Sequence, residues 1–261
     1  MVQEALSMGA LVTLNGVGKF YPSITGDRIE AVRNISIQLN EGEVVALVGP
    51  SGCGKSTILR MIAGLEKPDG GTIEEARSDK FLIGYIFQDS SLMRWRTVYN
   101  NVKLPIEILK INKPERVQQM IDMVGLTGFE KQYPNELSGG MQRRASIARA
   151  LVHEPTVLLM DEPFTGVDEI TKELLQTDLL YIIGSLHVTG MLVTHDVEEA
   201  VYLSDRVMVM SAHPGTIIEE VVVPLPKTRE PVMRTQEPFN ECCKEIREKL
   251  HLLTPRRPAT R

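Results

Sequence analysis

The stretch "VVALVGPSGCGKSTILRMIAGL", residues 44–65, decides the fold. Five aliphatic residues run without alternation, a length and pattern suited to a strand buried on both faces. Gly49, Gly52 and Gly54 follow, and then a helical apolar rhythm begins at Lys55. Residues 49–57 fit G-x-x-x-x-G-K-[ST] between a strand and a helix, the context in which that pattern has a physical meaning. The glycines let the backbone curl so that successive N–H groups point at phosphate oxygens. Lys55 would reach the β- and γ-phosphates, Ser56 would offer its hydroxyl to Mg²⁺, and Thr57 would add a phosphate contact.

Working outward, residues 11–48 alternate as strands, in "LVTLNGVGKFY" and "AVRNISIQLN" before the loop. "KPDGG" reads as a turn and "KFLIGYIFQ" as a further strand, ending at Gln88. From Ser90 to about Pro155 the rhythm becomes helical. Short doubly apolar strands then return as "TVLLM", "GMLVT" and "RVMVM", separated by helical stretches. Such alternation predicts an α/β core with a parallel sheet covered on both faces, interrupted by a helical insert. The nucleotide strand is expected to have the strands ending in Gln88 and His195 as its neighbours.

Composition narrows the partners. The chain has 261 residues, 43% hydrophobic and 24% charged, with a formal net charge of −5. An acidic balance disfavours a nucleic-acid partner. Cys53, Cys242 and Cys243 form no disulfide framework, which points to a reducing compartment. No apolar run approaches the ~18–20 residues that span a bilayer. The first residues lack a basic segment and a long apolar run, so no signal peptide is expected.

Two further motifs complete a phosphate chemistry. "TVLLMDEP" (156–163) ends a buried strand in Asp161 and Glu162, at the carboxyl edge where sheets of this kind bind ligands. Asp161 is expected in the metal shell, and Glu162 is expected to orient or deprotonate the attacking water. "LSGGMQRR" (137–144) opens a helix with a good N-cap serine and two glycines. That is a costly helix start unless an anion approaches the backbone closely.

In this order and with these gaps, the glycine loop, Gln88, "LSGGMQRR", "LLMDEP", Asp168 and His195 resemble the nucleotide-binding subunits of ABC transporters. The likeness covers residues 11 to about 223. It implies an α/β P-loop NTPase (RecA-like) core with a parallel sheet, an N-terminal antiparallel β subdomain and a helical insert. The ATPase domain would span 11–225, with its core at 11–88 and 156–225 and its insert at about 89–155. A tail at 226–261 would carry one amphipathic helix, with Phe239, Cys243, Ile246, Leu250 and Leu253 on the stripe that docks on the core.

Carried onto this chain, the resemblance assigns ATP binding to Gly49, Pro50, Ser51, Gly52, Cys53, Gly54, Lys55, Ser56 and Thr57. Tyr21 would stack on adenine, with Phe20 the adjacent candidate. Ser56, Gln88 and Asp161 would serve Mg²⁺, Glu162 would be the catalytic base, and His195 would contact the γ-phosphate. Ser138, Gly139, Gly140, Gln142 and Asp168 would act across a head-to-tail dimer. Each ATP would then lie on the loop of one subunit and be capped by the glycine helix of the other, a homodimer or a homologous heterodimer. The remaining partners would be membrane permease subunits and a substrate-binding protein, with no nucleic acid. The subunit would sit peripherally on the cytoplasmic face of the inner (cell) membrane.

The residues following Gln88, "SSLMRWRTVYNNV", with "EEAVYLSDRV" and "HPGTIIEEVVVPLP", are most similar to importers of the nitrate, sulfonate and taurine group. Cys53 is expected to be a point of thiol sensitivity. Two departures stand out. "PFTGVD" places Gly166 and Val167 where the family more often has alanine and leucine, and Arg143 and Arg144 follow Gln142 in an unusual arrangement. ABC-type machines of DNA repair or the ribosome are the rival reading. They generally carry long heptad insertions, zinc cysteines or tandem ATPase domains, and none of these is visible here.

Overall fold

A computed structural model describes residues 9–23, 26–76 and 81–252. Leu253, expected on the tail-helix stripe, lies outside the described residues. Strands β1 (Ala10–Pro22) and β2 (Arg28–Asn40) pair antiparallel, and β4 (Gly70–Glu75) joins the other side of β1. This three-stranded sheet includes an element the sequence reading lacked. Gly70 and Gly71 look like the end of a turn, and β4 is largely exposed, so it has no apolar alternation to reveal it.

The second sheet has the order β5-β6-β7-β3-β8-β9. It comprises β5 (Ile83–Ile86), β6 (Val157–Asp161), β7 (Thr189–Thr194), β3 (Val44–Val48), β8 (Arg206–Met210) and β9 (Ile217–Val222). The pairings are parallel through β8, and β9 closes the edge antiparallel to it. The parallel expectation therefore holds for the core, while the edge is a hairpin. A second correction concerns β5, which pairs with β6 and is separated from β3 by both β6 and β7. Gln88 therefore enters from the Glu162 side of the sheet and not from beside the loop strand.

Along β3 the side chains divide between two cores. Val45 and Leu47 pack with helix α1 (Lys55–Ile62) and the inner face of the antiparallel sheet. Val44, Ala46 and Val48 pack with the opposite core, which includes apolar residues of α2 (Val98–Ile108), α3 (Glu115–Met123), α4 (Gly139–Leu151), α5 (Glu169–Leu186) and α6 (Val197–Leu203). Burial on both faces is why the parallel strands read as unbroken apolar runs. Among the described residues no helix is long and apolar enough to cross a membrane.

Between β5 and α4 the chain is organised by one buried amide. Asn101 accepts from Met93 N at 2.8 Å and donates to the carbonyls of Met93, Arg96 and Thr97. These bonds fold residues 93–97 into a tight loop at the start of α2 and leave Trp95 75% exposed on its outside.

After β9 the chain returns across α6. Arg229, buried, donates to the carbonyls of Val201, Tyr202 and Ser204. It thereby satisfies the acceptors that end a helix, which have no partner within it. Helix α7 (Glu237–Leu252) then buries Phe239, Cys242, Cys243 and Ile246, with Leu250 partly covered, so its apolar stripe is spent on the protein's own core.

Phe239→Ala is expected to cost about 3–5 kcal/mol of stability, read as a fall in the urea midpoint. Leu252, 86% exposed, should tolerate alanine within about 0.5 kcal/mol. Equal midpoints for the two variants would mean that α7 is not docked.

Candidate active site

The glycine loop leaves β3 and turns into α1. Gly54 has φ +96°, and a Cβ there would lie 2.4 Å from Val32 Cγ1, so only glycine fits. At Gly49 a Cβ would stand 3.0 Å from Met210 Cβ, because the end of β8 passes against the loop. Lys55 is buried, and its ammonium donates to Gly49 O at 2.9 Å and Pro50 O at 3.0 Å. Ser51 and Gly52 are exposed on the loop's outer side. Cys53 faces the other way and is fully buried, and burial pushes its thiol up. The expectation of a thiol-sensitive loop is corrected accordingly: a buried, protonated thiol is a poor nucleophile.

Ser56 Oγ donates to Asp161 Oδ1 at 2.7 Å, joining the start of α1 to the end of β6. Tyr85 OH donates to the other oxygen, Oδ2, at 3.3 Å. Burial, then the Asp161 carboxylate, raises the Tyr85 phenol well above its ordinary range, so it remains a donor. A serine hydroxyl beside a carboxylate is a hard-oxygen pair of the type Mg²⁺ takes when substrate phosphates supply further ligands. Among the described residues no cluster of three or more His, Cys, Asp or Glu could hold an ion by itself. The pair therefore suits a cation that arrives with a phosphate.

Glu162 follows with φ +45°, a left-handed conformation uncommon outside glycine and one in which strain tends to mark function. Its backbone N–H donates to Val193 O at 2.9 Å. The turn folds its carboxylate over the sheet edge, where three groups converge on one oxygen. Gln88 Nε2 lies 3.3 Å from Glu162 Oε2, His195 Nδ1 lies 3.3 Å from it, and Thr165 Oγ1 donates to it at 3.1 Å. Gln88 makes no hydrogen bond to Ser56 or Asp161 in this arrangement; its amide serves Glu162. His195 is held from behind, since Asp196 caps α6 by accepting from Glu198 N and Glu199 N and pairs with Lys172.

The glycine helix is open. Ser138 caps α4 by accepting from Met141 N at 3.2 Å, and Ser138 and Gly139 are exposed. Met141 N apart, the amides of the first turn have no partner within the helix. Other expected contacts are engaged within the chain. Gln142 Nε2 donates to Pro134 O at 2.9 Å and its Oε1 accepts from Ser90, so both ends of this amide are engaged within the chain. Asp168 caps α5 by accepting from Thr171 N at 3.0 Å, after a left-handed turn at Gly166. Tyr21 lies half-buried beside α1, its hydroxyl donating to the Glu66 carboxylate and 3.3 Å from Thr57 Oγ1, while Phe20 is partly exposed.

Thr165, Tyr85 and Glu199 join the site without having been anticipated. Thr165 carried a readable signal, standing three residues after Glu162. Tyr85 shows itself only once β5 pairs with β6. Glu199 is buried beside the Lys172–Asp196 pair, its Oε1 has no hydrogen-bond partner, and desolvation pushes its carboxyl up to about 8.

A family model described as ABC transporter matches residues 32–165. An ABC transporter ATP-binding protein of Methanocaldococcus jannaschii, itself uncharacterized, is 46% identical over 228 residues, covering 85% of this chain and 84% of the relative. An aliphatic sulfonates import ATP-binding protein of Bacillus cereus is 41% identical over 239 residues, covering 90% and 94%. Among solved structures, a dimeric ATP-binding cassette in a post-hydrolysis state with ADP and phosphate superposes with a TM-score of 0.71. It is 31% identical and covers 84% of this chain and 99% of that one.

Gly54→Ala should lower stability by more than about 1 kcal/mol and abolish ATP binding by titration calorimetry. Gly184→Ala, within α5 and with nothing within 4 Å of the added Cβ, should be neutral or slightly stabilising. Retained ATP affinity in Gly54→Ala would show that the loop does not need its left-handed turn.

Proposed function

The chain belongs to the ABC transporter family as an ATP-binding subunit and is an ATPase, and from that premise we propose that it drives import of a small anion through a separate membrane permease. One observation carries the mechanism: the Glu162 carboxylate is shared by Gln88, His195 and Thr165 at the edge where Ser56 meets Asp161.

ATP enters along the glycine loop, its phosphates taking the backbone N–H groups and the Lys55 ammonium now turned on Gly49 and Pro50. Tyr21 and Phe20 offer the aromatic surface for adenine. Ser56 and Asp161 would hold Mg²⁺, which supplies charge neutralisation of the β- and γ-oxygens. Glu162 accepts a proton from the attacking water as its oxygen bonds to the γ-phosphorus and the bond to ADP breaks. Gln88 and Thr165 hold that carboxylate in place, and His195 stands beside it to contact the γ-phosphate. The open amides at Ser138, Gly139 and Gly140 cap the ATP of a second copy, so closure of two subunits completes both sites.

Beside Gln88 lies a groove of about 350 Å³ whose lining includes Tyr85, Phe87, Leu104, Pro105, Ile108 and His153. Ile108 in this lining is 69% exposed, which leaves the groove an open apolar surface. A short helix of the permease's cytoplasmic side fits such a surface and would be felt at Gln88. The sulfonate-import relatives favour a sulfonate, with nitrate or taurine the neighbouring choices, delivered by a substrate-binding protein. The subunit then works from the cytoplasmic face of the cell membrane.

Glu162→Gln should lower ATP turnover at least about 100-fold and accumulate an ATP-bound dimer by size-exclusion chromatography. Tagged and captured from detergent-solubilised native membranes with ATP and Mg²⁺, it should bring a multi-span membrane protein. Ribosomal or DNA-associated partners in place of a membrane protein would overturn the transport reading.

A further inference from the structure

The four carbonyls of Phe87, Gln88, Ser90 and Ser91 are held by side chains of a single helix. Arg143 of α4 donates to Phe87 O at 2.7 Å and to Gln88 O. Further along the same helix, Arg149 donates to Ser90 O at 3.0 Å and Ser91 O at 2.7 Å. Arg143 is only 4% exposed, and the Asp89 carboxylate is the negative charge that acts on it most. A planar guanidinium presents its donors in a rigid fork, so bonding two successive carbonyls also fixes their orientation, which the rotatable ammonium of a lysine does less well.

Those two carbonyls flank the Cα of Gln88, so holding them sets the direction in which its side chain leaves. The side chain is otherwise exposed and reaches Glu162 Oε2 at 3.3 Å, the long end of a hydrogen bond, where a small shift of the backbone breaks it. At the other end of the link, Arg143 sits just over one turn from Ser138 on an unbroken helix. Helix α4 runs continuously from the Ser138 cap through Arg143, so a displacement of its start as a rigid element carries Arg143 with it.

We propose that Arg143 is a positioning residue for hydrolysis, tying the Gln88 amide, and through it Glu162, to the N-terminus of α4. Loading of Ser138 by a facing ATP is then registered at the base of the same chain. This rests on the roles given above to Gln88 and Glu162. A residue that only stapled α4 to the sheet would affect stability and not act through Gln88.

The test is a double-mutant cycle on single-turnover ATP hydrolysis by the full chain, with affinity for a fluorescent ATP analogue and melting temperature measured alongside. Arg143→Gln and Gln88→Ala should each slow hydrolysis at least tenfold with affinity changed less than twofold, and the double variant should be no slower than the slower single. Arg143→Lys should recover part of the rate. If Arg143→Gln fails to fold, the same cycle built on Arg143→Lys decides. Losses that multiply, or an Arg143 variant at the wild-type rate, overturn the proposal while leaving Gln88 its role. A wild-type rate in Gln88→Ala overturns that role and the proposal with it.

Discussion

Parallel register across three strands is the constraint on which everything else depends. Val48 of β3 pairs with Thr194 of β7, and Val193 of β7 pairs with Asp161 of β6. Parallel strands in register end at one edge, so Gly49, Glu162 and His195 emerge together although they are far apart in the chain. No local preference of these residues would assemble them. Hydrogen bonds between strands do so, and burial of both faces prevents the register from slipping.

Once the edge exists, short-range devices aim the groups. A left-handed turn directs Glu162 back over the sheet, and the Asp196 cap orients the segment that carries His195. The charges that do this aiming are themselves paired. Asp196 is held below the usual carboxylate range despite its burial, chiefly by Lys172, whereas desolvation outweighs the same lysine at Glu199, three residues on, and pushes its carboxyl up to about 8.

The tail belongs to the same economy of acceptors. Helix α6 starts at the cap beside His195 and ends at carbonyls taken by Arg229, while Arg234 stacks over the Tyr202 ring with 3.6 Å to its centroid. Both ends of the helix behind His195 are therefore fastened, one by its own N-cap and one by residues that follow β9. The buried charge of Arg229 is tolerated because its lost water contacts are replaced by the carbonyls of Pro226, Val201, Tyr202 and Ser204.

Much of this was legible in the chain. The glycine loop, the Asp161–Glu162 strand end and the Ser138 cap are local patterns whose meaning lies in backbone dihedrals and a few neighbouring residues. The docked stripe of α7 was visible through its 3.6-residue period. What stayed hidden depends on partners distant in sequence. Strand β4 has an exposed surface without alternation, β5 proved to neighbour β6 and not β3, the Gln142 amide bonds within the chain, and Cys53 is buried. The sequence by itself determined most of the strands, the helices and the phosphate-binding turns, the exposed β4 aside, because sterics and periodicity act within a few residues. The tertiary structure alone decided which strand ends share an edge, and so which carboxylate meets Gln88, because strand order is set by burial and interstrand hydrogen bonds across the whole chain.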